Sequence, residues 1–323
     1  MEHKSARFCG DTRRVNPPAC NTVDHTIFRG TFRESPIMSF PPARVHEALD
    51  TPFPLTDLER GGFEADGFIH LRNVLDPSAV ATCGARITRL ALALDPNRQV
   101  PLAQRDTYGQ AFIQVVNLWL RSHVVRDFVF GRRLARIAAE LLGVKGVRLW
   151  HDQALYKEPG GGITPWHTDQ YYWPLATDRC VTAWVPLQDT PIQMGPLSFA
   201  AGSHRLTAGR DLPIGDASER ALDAAVRHAA CPVVQEPFAA GDVSFHLGWT
   251  AHRAGPNATT TPRGVMTIIY MDAEMRLAPP ANPNQEADWK AFCPDVEPGA
   301  VIDAPMTPVI WSRHALQDVG CRT

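Results

Sequence analysis

The hydrophobic pattern divides the chain into a helical first half and a second half rich in short strands. Thr56 has the position of a helix N-cap, Gly67 that of a terminator, and Asp76 followed by proline opens a second helix. Between these helices, residues 68–74 alternate as a strand does. Apolar residues in 132–142 recur at helical spacing and stop before a glycine, which predicts an amphipathic helix.

Short apolar runs separated by Gly and Pro clusters fill the second half. They are 147–150, the segment around 165–173, 180–187, 195–199, 242–247 and 265–271. Many short strands after a helical block predict a jelly roll, the double-stranded β-helix of cupin-like proteins, buttressed by N-terminal helices. The expected fold class is therefore α+β or mainly β.

Length and composition favour a single folded unit. The chain has 323 residues, of which 44 % are hydrophobic and 20 % charged, so it can bury a large core. Residues 1–37 contain scattered Arg and no sustained period, and we expect a disordered extension there. Within the domain, 38–323, we expect a jelly-roll core at about 147–275, an inserted lid or loop at about 205–232, and a Pro-rich segment of long loops at 279–323.

Charge and cysteine content exclude several classes of partner. A net charge of −2 provides no basic field for nucleic acid or anionic lipid. No apolar run approaches membrane-spanning length, and no secretory signal is evident. The seven Cys are odd in number and form no CxxC pair, a pattern typical of reduced thiols. We therefore expect a cytoplasmic protein with a small-molecule partner, and the oligomeric state stays open.

A histidine and a carboxylate two residues apart give the first indication of chemistry. In an extended strand, His167 and Asp169 leave the same face, while Thr168 points away. One neutral imidazole and one carboxylate are two of the three ligands in the facial triad of non-heme Fe(II) oxygenases. With 12 His and 34 Asp plus Glu in the chain, chance alone supplies about one such pair. The His167–Asp169 pair therefore indicates a metal site only if the chain supplies a third ligand.

Three downstream histidines compete for that third position: His204, His246 and His252. His252 lies where a strand meets a turn, and Arg263 follows eleven residues later at the head of the next strand. A guanidinium on that strand could hold a carboxylate through two hydrogen bonds. An iron enzyme that uses a 2-oxo acid needs open positions on the iron and a fixed cation for the far carboxylate of that acid. These residues could provide both.

With these motifs the chain resembles the phytanoyl-CoA dioxygenase family of Fe(II)/2-oxoglutarate oxygenases. The resemblance covers about residues 56–311. It depends on Phe63-Glu64-Ala65-Asp66-Gly67-Phe68, Lys157-Glu158-Pro159-Gly160, Trp166-His167-Thr168-Asp169, Gly195-Pro196-Leu197-Ser198-Phe199, Gly202-Ser203-His204, and His252 followed by Arg263.

The resemblance implies a role for each matching position. It implies three iron ligands that form the catalytic centre, namely His167, Asp169 and His252. It implies that Arg263 pairs with the C5 carboxylate of 2-oxoglutarate, and that four residues line the co-substrate pocket: Trp184, Gln153, Gln114 and Asn117. The chain departs from the family pattern at Thr168, where many relatives carry Gln, and at Ala254, where some carry a hydroxyl. Both departures concern secondary co-substrate contacts and leave the iron ligands intact.

Candidate substrate contacts are aromatic or imidazole side chains near the dyad and the third ligand. They are Tyr171, Tyr172, Trp173, His204 and Trp249, each of which has packing as an equally ordinary role. The pair His151-Asp152 also joins an imidazole to an acid. Adjacent strand residues face opposite sides, so we expect this pair to be structural or to support the site indirectly.

The expected function is an Fe(II)-, 2-oxoglutarate- and O2-dependent oxidation of a small molecule, giving succinate and CO2. Hydroxylation is one outcome among several, and a natural-product or amino-acid-derived substrate is expected. Halogenation is disfavoured because Asp169 occupies the position where halogenases of this kind carry Gly or Ala. Alternatives are an inactive jelly-roll protein that binds a small molecule, an acyl-CoA 2-hydroxylase, and a zinc hydrolase, which would have no role for Arg263.

Overall fold

A computed structural model describes residues 47–95 and 99–313 of the chain. The predicted N-terminal extension and the last ten residues of the Pro-rich segment lie outside these ranges. The described residues form two antiparallel sheets and several helices. Within them, no helix combines the length and apolar character that crossing a membrane requires.

The larger sheet has seven strands. They are β1 (Phe68–Leu71), β2 (Ile113–Val116), β3 (Gly146–Lys157), β5 (Cys180–Pro186), β8 (Val243–Leu247), β10 (Arg263–Asp272) and β11 (Val309–Ser312). Their order is β1-β8-β5-β10-β3-β11, and β2 also pairs with β3. The central strand β10 is buried along nine of its ten residues, which explains its almost continuous apolar sequence.

The smaller sheet has four strands. They are β4 (Thr164–His167), β6 (Leu197–Ala200), β7 (Val233–Gln235) and β9 (His252–Ala254), in the order β4-β9-β6-β7. From β3 to β10 the chain passes repeatedly from one sheet to the other. This is jelly-roll connectivity, and it confirms the predicted fold class.

The helices are α1 (Asp57–Asp66), α2 (Pro77–Ala93), α3 (Thr107–Ala111), α4 (His123–Val129), α5 (Arg132–Leu142), α6 (Asp216–His228) and α7 (Pro283–Phe292). Thr56 caps α1 as predicted, because its hydroxyl accepts the Glu59 N–H and the Glu59 carboxylate accepts the Thr56 N–H. Gly67 ends the helix in the left-handed conformation with φ 79°. β1 stops at Leu71 instead of residue 74, and Asn73 follows with φ 54°.

Helices α2 and α5 contribute to the main hydrophobic core with the larger sheet. Their buried residues, including Ile87 and Ile137, belong to one cluster with Phe245 of β8 and Ile268 of β10. Each large aliphatic side chain buried in this way stabilises the fold by about 1.5–3 kcal/mol. The helices pack on one side of the larger sheet, and the other side faces β4 and β9. The packed helices therefore give that other side a rigid support.

Two segments outside the core strands contain regular elements, one of which, a helix in the inserted lid, is consistent with the sequence, and one of which is not. The predicted lid contains α6, whose Leu222 and Val226 cluster with Trp166 and Ala200 of the smaller sheet. The Pro-rich segment, expected as loops, contains α7 and β11. Asn282 caps α7 and proline occupies its first position, so this proline starts a helix where the sequence analysis expected a loop.

Candidate metal centre and active site

Two strands of the smaller sheet bring the three predicted iron ligands together. His167 ends β4, His252 begins β9, and the two residues are direct partners in the β4–β9 register. Asp169 lies on a short 3-10 turn after β4, not on a strand as predicted. The intervening Thr168 keeps an extended backbone, with φ −126° and ψ 130°, so side chains 167 and 169 still converge.

The donor atoms of these three side chains occupy one small volume. One ligand atom from each lies within 4.8 Å of the others. Asp169 Oδ1 is 3.6 Å from His167 Nε2 and 3.6 Å from His252 Nε2. Two imidazole nitrogens and one carboxylate oxygen facing a common point form the 2-His-1-carboxylate set that suits Fe(II).

Backbone carbonyls fix the tautomer of both histidines. His167 Nδ1 donates to the Pro165 carbonyl at 2.8 Å, and His252 Nδ1 donates to the Thr250 carbonyl at 3.0 Å. A carbonyl oxygen can only accept, so Nδ1 carries the proton in each ring. The Nε2 lone pairs are therefore left facing Asp169, as metal ligation requires.

The second oxygen of Asp169 is held by the larger sheet. Oδ2 accepts a hydrogen bond from the Thr182 hydroxyl at 2.9 Å and from His246 Nε2 at 3.2 Å. Thr182 and His246 are direct partners across β5 and β8. His246, one of the three candidates for the third ligand, thus orients the carboxylate from behind. Thr182 was not among the predicted site residues, although its i, i+2 relation to Trp184 on β5 was a usable signal.

The protonation states at the centre match those of metal ligands. Burial lowers the pKa of His167 and of His252 to about 4, so both rings are neutral near neutral pH. Burial would raise the pKa of Asp169, but His252, His246 and His167 outweigh it and hold that pKa well below its ordinary value. An ionised carboxylate and two neutral imidazoles are ready to bind a cation.

A second feature is a pair of buried basic residues where β3 ends and β10 begins. Arg263 opens β10 opposite Lys157 of β3, and both side chains are almost wholly buried. Arg263 donates to the Gly195 carbonyl, its Nε has no partner, and its guanidinium lies 5.5 Å from the Trp184 ring centroid. Within the described residues no carboxylate forms an ion pair with either base.

Burial of two bases without a counter-ion is unfavourable unless an anion binds. Burial, followed by the charge of Arg263, lowers the pKa of Lys157 to about 6, and burial lowers the pKa of Arg263 to about 10. Lys157 also donates to the Gly162 carbonyl and to the Thr164 hydroxyl at 3.2 Å. In the sequence, Lys157 was noted only as part of the motif Lys157-Glu158-Pro159-Gly160. The structure places it beside the predicted anion site.

The remaining predicted co-substrate residues lie on neighbouring strands. Thr267 of β10 pairs with Gln153 on one side and Trp184 on the other, which sets these two at the same level of the sheet. Gln114 donates to the Gln153 side chain at 2.8 Å. Asn117 follows β2 with φ 55°, and both atoms of its buried amide lack a partner. The structure joins Gln114 to Gln153, and it shows no bond from Asn117 to either.

The predicted substrate residues make contacts within the protein. The Tyr171 hydroxyl accepts from Asn284 at 3.3 Å, and the Tyr172 hydroxyl accepts from the Ile214 N–H at 2.9 Å. Trp173 is buried in a cluster with Trp150 and Phe292. Substrate contact by any of them stays a prediction.

His204 and Trp249 both contact Arg210. The Arg210 guanidinium donates to the His204 carbonyl at 2.7 Å and lies 4.6 Å from the Trp249 ring centroid. His204 packs against Gly67, where an added Cβ would fall 2.3 Å from Nδ1. This close approach explains why the residue after α1 must be glycine, and it gives His204 a packing role.

His151 and Asp152 face opposite sides, as adjacent strand residues should. Asp152 accepts from the N–H groups of Leu118 and Trp119 at 3.0 and 3.3 Å. The His151 ring lies 6.0 Å from that of Trp173 and 5.1 Å from that of Phe292. Its buried Nδ1 has no partner, and burial lowers its pKa to about 4. His151 is thus a neutral imidazole with unused hydrogen-bonding capacity.

Comparison with known proteins places this geometry in context. The family model described as phytanoyl-CoA dioxygenase matches residues 63–265. A probable alpha-ketoglutarate-dependent hypophosphite dioxygenase of Stutzerimonas stutzeri is 25 % identical over 50 % of this chain and 57 % of that protein. An ectoine dioxygenase of Bordetella parapertussis is 26 % identical over 69 % of this chain and 79 % of the relative.

Solved structures agree with the sequence relatives. The epimerase SnoN from nogalamycin biosynthesis, in complex with Fe3+, alpha ketoglutarate and nogalamycin RO, is 27 % identical with a TM-score of 0.64. That match covers 79 % of this chain and 98 % of SnoN. EctD from S. alaskensis, at 21 % identity and a TM-score of 0.58, supports the fold alone.

Proposed function

This chain belongs to the phytanoyl-CoA dioxygenase family, and on that premise we propose that His167, Asp169 and His252 bind Fe(II) in an oxidoreductase that uses 2-oxoglutarate and O2 to oxidise a small molecule. One observation supports this most strongly. Two Nε2 lone pairs, fixed by backbone carbonyls, face the same carboxylate oxygen at 3.6 Å. A structural ion pair would have no need for that arrangement.

The residues present fit an iron centre with open positions. His167, Asp169 and His252 would hold the iron through three donors and would leave other positions open for co-substrate and oxygen. The bound iron supplies the redox chemistry that couples breakdown of 2-oxoglutarate to substrate oxidation. The protein holds the ligands in place, because Thr182 and His246 fix the oxygen of Asp169 that faces away from the histidines.

The buried bases supply the second half of the proposed site. The distal carboxylate of 2-oxoglutarate would bring the anion that Arg263 and Lys157 lack among the described residues. A guanidinium can bind it through two parallel hydrogen bonds. The Trp184 ring beside Arg263 and the amide of Gln153 would line the path between the anion and the iron.

Two of the similar proteins favour a natural product as the substrate. SnoN is described in complex with nogalamycin RO. A 1-deoxypentalenic acid 11-beta-hydroxylase of Streptomyces arenae is 23 % identical over 76 % of this chain and 90 % of that enzyme. We therefore propose a natural-product substrate in preference to an acyl-CoA thioester.

The decisive experiment combines binding and turnover. Under anaerobic conditions, Fe(II) and 2-oxoglutarate added to the protein should give the visible charge-transfer band of a chelated 2-oxo acid. In air, succinate should form in a 2-oxoglutarate-dependent manner, faster with an accepted substrate. A protein that gives the band but no succinate with any substrate tested would be a binding protein, and one that gives neither would not be an oxygenase.

Arg263→Ala separates the co-substrate site from the metal site. The variant should lose 2-oxoglutarate affinity by about 100-fold or more, since a buried charge pair is worth several kcal/mol, while its Fe(II) affinity changes little. Arg263→Lys should recover part of the affinity, and Arg179→Ala, at an exposed arginine paired with Asp272, is the matched control. Equal loss of both ligands in Arg263→Ala would make Arg263 a structural residue.

A further inference from the structure

The inserted segment between β6 and β7 lies behind the metal centre. Leu222 and Val226 of α6 pack on Trp166 of β4 and Ala251, the residue before β9. Each of these two contacts immediately precedes a histidine ligand in sequence. Because strand side chains alternate, the helix covers the side of the smaller sheet opposite to the donor atoms.

One carboxylate of α6 joins the two strands that carry the histidines. Glu219 Oε2 accepts the Trp166 backbone N–H at 2.5 Å, and Glu219 Oε1 accepts from Arg253 at 3.3 Å. The Arg253 guanidinium also lies 4.6 Å from the Trp166 ring centroid. Trp166 precedes His167 and Arg253 follows His252, so Glu219 binds both strands next to the ligands.

The β4 strand needs such a support. It is four residues long and lies at the edge of the smaller sheet, with only β9 beside it. The β4–β9 register holds at Thr164 with Ala254 and at His167 with His252, and is irregular between them. An edge strand leaves backbone groups without sheet partners. Glu219 supplies the acceptor for one of them, and a hydrogen bond to a charged acceptor is stronger than a neutral one.

The ion pair with Arg253 is the weaker of the two contacts. The Glu219 side chain is 26 % exposed and that of Arg253 40 % exposed, so solvent screens their attraction. The hydrogen bond to Trp166 sets the position of the β4 backbone directly before His167. Its loss would let β4 shift relative to β9.

We propose that Glu219 is a positioning residue for the metal centre: its carboxylate, held between the Trp166 N–H and Arg253, fixes the separation of His167 and His252 from behind the sheet. The inserted segment, in this view, buttresses the metal site. This inference rests on the proposed function, because it needs these histidines to bind a metal.

Co(II) titration of the full chain, without 2-oxoglutarate, tests the proposal. Glu219→Ala should weaken Co(II) binding about tenfold, the lower end of the range for residues that orient metal ligands. Asp223→Ala, which removes another acid of the same helix, paired with Arg227, is the matched control and should leave the Co(II) affinity within about twofold of wild type. Loss of affinity in proportion to loss of stability in both variants would overturn the proposal, as would unchanged affinity in Glu219→Ala.

Two further variants keep the test decisive if Glu219→Ala does not fold. Glu219→Gln keeps an oxygen acceptor for the Trp166 N–H and loses the charge, so it should bind Co(II) nearly as wild type does. Glu219→Asp keeps the charge, but its shorter side chain withdraws the acceptor and should weaken binding. The reverse order would mean that Glu219 acts only through its charge and would overturn the positioning role. Wild-type protein that binds no Co(II) would instead overturn the proposed function and this inference together.

Discussion

Asp169 and Asp152 each lie within two residues of a histidine in the chain, yet their carboxyl groups behave in opposite ways. Burial raises the pKa of Asp152 to about 7, although the N–H groups of Trp119 and Leu118 oppose the rise. Burial acts on Asp169 in the same direction, but three surrounding histidines hold its pKa well below the ordinary value. The desolvation of the carboxyl group acts in the same direction on both residues, and the neighbouring side chains decide the outcome.

The difference comes from one residue of sequence spacing. His167 and Asp169 are two residues apart and converge, so His252 can join them at one point, and His246 holds the other oxygen of the carboxylate. His151 and Asp152 are adjacent, so the acid is turned towards the N-terminal end of a 3-10 turn at Leu118. An acid whose side chain converges with two imidazoles can bind a metal, as we propose for Asp169, whereas Asp152 accepts the N–H groups of a 3-10 turn.

The largest effect is expected from removing the converging carboxylate. Asp169→Ala leaves two neutral imidazoles and no anionic donor, so Fe(II) or Co(II) affinity should fall by more than the roughly 100-fold seen for residues that only orient ligands. Succinate formation should fall with it. Calorimetric metal titration measures this, with Asp303→Ala at an exposed acid as control. Metal affinity within tenfold of wild type would show that the acid is not a ligand.

The next effect concerns Asp152 and stability. Because its pKa rises from 3.8 to about 7 on folding, the folded protein binds more protons than the unfolded chain between these values. The free energy of unfolding of the wild type should therefore fall as pH rises through that window, by about 1.4 kcal/mol for each unit of pKa shift, and level off above it. Asp152→Asn lacks this dependence.

Urea unfolding of both proteins from pH 4 to 8 provides the measurement for Asp152. Other titrating groups, including the metal ligands, are common to both proteins and cancel in the difference between the two curves. The difference should shift in favour of the variant by a few kcal/mol as pH rises. Parallel curves would mean that the carboxyl group is ionised throughout and stabilised by the two backbone N–H groups alone.

Sequence reasoning recovered the parts of the molecule that depend on local pattern. The cap at Thr56, the terminator at Gly67 and the amphipathic stripe of α5 follow from neighbouring residues. The His167–Asp169 spacing likewise holds because Thr168 stays extended, even though the strand ends before Asp169. The jelly roll followed from strand number and length, without any knowledge of strand order.

Contacts between residues distant in sequence were beyond such reasoning. Glu219 is one of many acids on helix surfaces, and nothing local links it to the Trp166 N–H that it accepts. β7, β9 and β11 are three or four residues long and exist because neighbouring strands supply their hydrogen bonds. The pairing of Lys157 with Arg263 likewise appears only in the β3–β10 register.

The smallest effect is expected from loosening Asp169 without removing it. Thr182→Val replaces the hydroxyl that donates to Asp169 Oδ2 at 2.9 Å with a methyl of similar size, and His246 remains as the other donor at 3.2 Å. The carboxylate then loses one of two bonds that orient it, and metal affinity should fall about tenfold, or about 1.4 kcal/mol. Thr182→Ser keeps the hydroxyl and should stay close to wild type. Metal titrations of both variants, with unfolding measured in chelator, separate orientation from folding. If Val and Ser variants bind metal equally, His246 alone sets the carboxylate, and the contrast with Asp152 depends on the histidines only.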